Sequence, residues 1–137
     1  RPLEESPQDE LDEGIERELV LIGLVGIVDP ARPEAKEAVK TAKSAGIRSI
    51  MITGDHALTA EAIARNLGIL EEGQRAITGN ELDEMTDAEI SKALDTTSAF
   101  ARVSPAHKLK LVKLLQSKGN VAAMTGDGVN DAPALEL

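Results

Sequence analysis

What most constrains the fold of this chain is an alternation. Short apolar runs, each closed by a loop-forming cluster, are separated by stretches of helical periodicity. Residues 19–28 read LVLIGLVGIV and stop at Asp29-Pro30, the pattern of a strand covered on both faces. Pro33 suits a helical first turn, Glu34 lies at the positive helix start, and Ala35, Val39 and Ala42 form a stripe that Gly46 ends. A second strand is expected at 48–52 (RSIMI), running into Thr53-Gly54-Asp55. The helix after it carries Ala60, Ile63, Ala64 and Leu67 and stops at Gly68. Residues 69–98 are less regular, with a small strand expected at 76–78 and a capping box, Thr86 to Glu89, opening a helix through Leu94. The rhythm returns with a strand at 99–103 (AFARV). Ser104-Pro105 then opens a helix presenting Leu111, Val112, Leu114 and Leu115 to the core, and a strand at 121–124 (VAAM) leads into TGDGVND. Strands separated by helices imply right-handed crossovers and a parallel sheet with helices on both faces.

A chain of 137 residues suits one domain of ordinary size or part of a larger one. No apolar run is long and uninterrupted enough to span a bilayer, so the segment itself is expected to be soluble. No signal-peptide pattern opens it. With no cysteine, disulfide partners, thiolate metal sites and a cysteine nucleophile are excluded. The net charge of −9 argues against a nucleic-acid partner, which needs clustered Lys and Arg. Residues 1–20 hold eight acids against Arg1 and Arg17, a balance of −6, so 1–18 reads as a solvated acidic linker. Phe100 is the single aromatic, and one ring cannot sandwich an adenine.

In an open parallel sheet, ligands bind beyond the carboxyl ends of the strands, where both Thr-Gly-Asp segments fall. A threonine hydroxyl and backbone N–H groups suit phosphoryl oxygens, and glycine permits close approach. Carboxylates suit Mg²⁺, and Asp127 and Asp131 stand four apart across a glycine turn. A lone Thr-Gly-Asp is equally a turn or a helix N-cap, whereas two Gly and two Asp within 125–131 exceed what a turn requires. Lys108 sits near a helix start, the end that disfavours cations, with a solvated lysine as the plain alternative. His56 and His107 lack metal-ligand spacing and suit capping or surface roles. There is no phosphate loop of the Gly-x-x-x-x-Gly-Lys type and no Gly-x-Ser-x-Gly elbow, and Gly126-x-Gly128-x-x-Asp131 lacks the third glycine of a dinucleotide fingerprint.

Taken together, MITGD at 51–55, ARVSPAHK at 101–108 and MTGDGVNDAPAL at 124–135 resemble P-type cation-transporting ATPases, most closely the calcium-transporting branch. GLVGIVDPAR at 23–32 and TGNELDEM at 78–85 share the likeness. The resemblance implies residues 19–137 as the C-terminal portion of a phosphorylation domain, a haloacid-dehalogenase-like (Rossmann-like) α/β sheet, with 1–18 leading from the end of the ATP-binding domain. It implies Thr53, Gly54 and Asp55 around the phosphoryl group, Lys108 neutralising it, Asp127 on Mg²⁺, and Asn130 and Asp131 supporting phosphoryl and metal. Arg32 and Arg102 would reach toward nucleotide phosphates. Thr53, Lys108 and Asp131 are then the expected catalytic residues, with ATP and Mg²⁺ as cofactors. The remaining ATP-binding, actuator and membrane domains of a pump would be partners, on the cytoplasmic side of a membrane, with Ca²⁺ the favoured transported cation.

The family's phosphorylated aspartate stands in an Asp-Lys-Thr-Gly-Thr motif, and that string does not occur here. Its strand lies, in the family sheet, between those ending in Thr53 and Thr125. The sheet is therefore expected to be incomplete, with two unpaired edges, and the isolated chain inactive and less stable than the same segment within a pump. Two alternatives share this fold class: a stand-alone phosphatase of the same superfamily, for which no early-strand nucleophile is present, and a non-catalytic receiver-like module with Asp29 as phosphoacceptor, in which TGDGVND has no place.

Overall fold

A computed structural model describes residues 20–26 and 30–126. Helix α1 (Pro33–Ser44) is followed by β1 (Met51–Ile52), α2 (Ala57–Leu67), β2 (Ile77–Thr78), α3 (Gly79–Glu84), α4 (Asp87–Thr96), β3 (Ala99–Ala101) and α5 (Pro105–Ser117). The three strands form one parallel sheet in the order β1-β3-β2, with Met51 opposite Ala99, and Ile77 opposite Phe100.

The period-two alternation of β3 divides the core between the two faces of the sheet. Ala99 and Ala101 point to one side, where they pack with Ala60, Ala64, Leu70 and Ala76, and these small side chains let α2 approach the sheet closely. Phe100 points to the other side, into a cluster with Ile77, Leu82, Ile90, Leu94, Val103 and Leu111. Helices thus cover both faces, as the alternation of the sequence implies. Phe100, Ile90, Leu94 and Leu111 are the largest fully buried side chains.

Local signals set the helix ends. Thr86 caps α4 through a reciprocal box with Glu89, and Pro105 starts α5 behind the Ser104 cap. Gly68, at φ 77°, closes α2 in the left-handed conformation that costs glycine nothing. Helix α3 is an addition to what the sequence reading expected. Its signal was present in Thr78-x-x-Glu81, which forms a capping box of the same type as Thr86 to Glu89.

Two strand expectations fail among the described residues. Residues 20–26 of the run expected at 19–28 form no strand and are exposed, with Ile22 97% and Leu24 93% accessible. The run at 121–124 forms none either, and Val121 is fully exposed. A parallel strand exists only through hydrogen bonds to neighbours, and among the described residues no strand pairs with the outer edge of β1. The expected strands at 48–52, 76–78 and 99–103 are present in shortened form. At 102 the reason is visible: Arg102 turns to φ 50°, which takes the chain out of the sheet. Asp29 and the linker at 1–18 lie outside the described residues.

Candidate functional site

The loops leaving the carboxyl ends of β1 and β3 are stitched to each other. Thr53 N–H donates to the Phe100 carbonyl at 2.9 Å, Val103 N–H to the Thr53 carbonyl at 3.2 Å, and Arg102 N–H to the Asp55 carbonyl at 3.1 Å. Arg102, the one non-glycine residue at positive φ among those described, takes that angle where its N–H reaches Asp55. Within the Thr-Gly-Asp turn, Asp55 N–H donates to Thr53 Oγ1 at 3.1 Å.

These bonds revise which groups can meet a phosphoryl oxygen. The N–H groups of Thr53 and Asp55 are both committed inside the fold, so the turn offers the Thr53 hydroxyl hydrogen and the Gly54 N–H instead. Gly54 leaves room for the close approach expected of it without an unusual backbone angle. It does not adopt a positive φ, and a Cβ there would meet nothing within 4 Å, so what it supplies is open space at the turn.

A groove of about 920 Å³ runs from this turn along the outer edge of β1. Thr53, Gly54 and Lys108 line it together with Thr125 and Gly126, and its floor is apolar, with Ile50, Ile52, Leu111, Val112 and Leu115. Lys108 enters it from the first turns of α5, its own N–H bonded to the Ser104 carbonyl at 3.1 Å. Asp55 and Arg102 adjoin through the stitched loops, both exposed and neither lining the groove. Arg32 is exposed at the start of α1 and is not brought to the groove. Asp127, Asn130 and Asp131 lie outside the described residues. Among the described residues no group of three or more His, Cys, Asp or Glu side chains comes together, and what the described part of the site presents is hydroxyl, amide and ammonium donors.

Both histidines cap helices, as their spacing implied. His56 is the N-cap of α2, its Nδ1 accepting from Leu58 N–H at 3.3 Å, and His107 belongs to the cap of α5. Away from the groove, Glu81 is held down to a pKa of about 2, first by its hydrogen bond with Arg75 and then by those from the Thr78 N–H and hydroxyl, against the opposing effect of burial. That network secures α3 and is structural.

A parallel sheet covered on both faces, with interlocked loops at its carboxyl ends, defines the class, and residues 1–137 match the haloacid dehalogenase-like hydrolases: the chain belongs to that family. Within it, the chain is 53% identical over 122 residues to a calcium-transporting ATPase of Bacillus cereus, which covers 89% of this chain and 14% of that protein. It is 46% identical over 136 residues to a calcium-transporting ATPase of Bacillus subtilis (99% and 15%), and 51% identical over 126 residues to the endoplasmic reticulum calcium ATPase srcA of Aspergillus fumigatus (89% and 13%). The chain thus spans about one seventh of the length of the relatives it matches. Among the described residues, no helix is long and apolar enough to cross a membrane.

Proposed function

We propose that this chain is a segment of the catalytic phosphorylation domain of an ATP-driven calcium pump, supplying loops that handle an aspartyl phosphate. The observation that carries this reading is the convergence of Thr53, Gly54 and Lys108 with Thr125 and Gly126 in one groove beside the outer edge of β1, which pairs with no strand among the described residues. Phosphoryl transfer is catalysed mainly by positioning and by neutralising charge. In this arrangement the Thr53 hydroxyl and Gly54 N–H donate to phosphoryl oxygens, and the Lys108 ammonium offsets their charge. Asp127 and Asp131, with Asn130 in support, are the residues that would hold Mg²⁺, whose role is to neutralise further phosphoryl charge. Arg102, whose backbone adjoins the turn, would reach toward the phosphates of ATP. Arg32 has weaker support, since it stands apart from the groove.

The nucleophile must then arrive on another strand, and the groove is where it would seat. Apolar walls from β1 and α5 suit a strand covered on both faces, and its carboxyl end would emerge between Thr53 and Thr125. On this reading residues 1–18 tether the segment to the ATP-binding domain, the segment faces the cytoplasm, and the rest of the pump supplies adenine binding and ion passage. A stand-alone phosphatase and a receiver module have no observation in their favour.

The test is acid-stable phosphorylation from radiolabelled ATP in the full-length parent pump. Lys108→Ala should slow phosphoenzyme turnover by about 10²–10³, the scale for removing one preorganised electrostatic donor. Turnover at the parent rate would overturn the assignment of Lys108, and label on the isolated chain would overturn the requirement for a nucleophile from elsewhere.

A further inference from the structure

His107 occupies a position that its neighbour Lys108 does not explain. In the cap of α5, Ser104 Oγ accepts from His107 N–H at 3.3 Å, and His107 Nδ1 accepts from Ser104 N–H at 3.1 Å. That is a capping box in which an imidazole stands where glutamate or glutamine is usual. Because Nδ1 accepts a backbone N–H, the ring hydrogen resides on Nε2, which donates to Asp83 Oδ1 of α3 at 2.8 Å. The ring is only 13% exposed although Asp83 is 68% exposed. It therefore links two elements distant in sequence, the start of α5 and the end of α3.

The same junction explains Gly79. A Cβ at this buried glycine would fall well inside contact distance of the Arg102 carbonyl oxygen and would lie 3.1 Å from both His107 Cε1 and Nδ1. The Thr78-Gly79 turn thus packs directly on the β3 to α5 link, with Leu82 buried beneath α3 to hold it there. The Ser104 peptide is gripped on both sides: its N–H by His107, its carbonyl by the N–H of Lys108.

We propose that His107 is a positioning residue for Lys108: by capping α5 through Nδ1 and bonding Asp83 of α3 through Nε2, it fixes where the first turns of α5 present the lysine to the groove. The inference rests on the role given to Lys108 above. Small displacements of a charge-neutralising group are costly, with about 10²-fold in rate for a misplacement of about 1 Å. A role confined to stability would lower the amount of pump without depending on the lysine.

The experiment measures phosphoenzyme turnover per phosphorylatable site in the full-length parent pump. His107→Ala should slow turnover about ten- to hundredfold. His107→Gln should recover most of it, because glutamine completes a capping box from the same position. In a Lys108→Ala background His107→Ala should cost less than about twofold more, as expected when both substitutions remove one interaction. Where His107→Ala does not accumulate, Asp83→Asn at the exposed end of the pair reads the same coupling, with a smaller loss that vanishes in the Lys108→Ala background. Losses that multiply in the double variant, or a parent rate in His107→Ala while Lys108→Ala is slow, overturn the positioning role. A parent rate in Lys108→Ala alone overturns the reading beneath it.

Discussion

Residues 20–26 and residues 99–103 are both apolar runs that read as strands, and they have opposite fates. Phe100 is fully buried, with a helix layer on each side of its strand, whereas Ile22 and Leu24 are almost wholly exposed. The difference is in neighbours rather than composition. Strand β3 sits between β1 and β2 and bonds to both, while residues 20–26 pair with no strand among the described residues. An apolar run becomes a strand only where the rest of the fold presents an edge and two covering faces. The run at 121–124 teaches the same thing from the far side of the groove, facing β1 across a space with the apolar walls that a strand would need.

The sharpest way to break this comparison is to supply the missing neighbour. A synthetic peptide with an apolar run leading into Asp-Lys-Thr-Gly-Thr should raise the melting temperature of the isolated chain and slow amide exchange at Met51, Ile52 and 121–124. A scrambled peptide should do neither, and equal effects of the two would end the idea that the groove is a strand site. Next in size is substitution within the two runs. Phe100→Ala should cost about 3–5 kcal/mol by urea titration, the range for emptying a buried aromatic site, whereas Ile22→Ala should stay within about 0.5 kcal/mol. Comparable losses at both positions would mean that residues 20–26 are buried in solution.

Smaller effects test the junctions that hold the packed region. Gly79→Ala should cost about 1–3 kcal/mol, because the added methyl group must displace the Arg102 carbonyl and also crowds the His107 ring, neither of which is a flexible chain end. Thr86→Ala should cost about 1 kcal/mol as an ordinary N-cap loss. The smallest is electrostatic. Glu81 has a folded pKa of about 2, below its unfolded value, so its contribution is fully present above the ordinary carboxylate range and is lost as the pH falls toward 2. Glu81→Gln should therefore lower stability at neutral pH and flatten the acid limb of the stability profile. An unchanged acid limb would show that other carboxylates govern it.

Much of the fold was legible because its signals are local. The Ser104-Pro105 and Thr86 caps, the glycine stop at Gly68 and the stripe through Ala60 and Ala64 each encode their element within a few residues. Helix α3 carries the same kind of signal in Thr78 and Glu81, but its apolar stripe is too short to mark it, with Leu82 its one buried large side chain. Of the site, the sequence marked Thr53, Gly54 and Lys108, and the fold gathers these three. It leaves Arg32 apart. Which backbone donors the Thr-Gly-Asp turn can offer was not legible, because Thr53 N–H is taken by Phe100, far away in the chain. The link between His107 and Asp83 was hidden for the same reason, since the two are 24 residues apart on separate helices.

By itself, then, the sequence determined the alternation of strands and helices, the positions of most helix ends and the strings that mark the family, since each is written in neighbouring residues. Tertiary structure decided which apolar runs pair, how close α2 comes to the sheet, where α5 begins relative to α3 and which polar groups remain for a ligand. Those outcomes depend on partners distant in the chain, and a hydrogen bond or a packed face is fixed only when both sides of it are present.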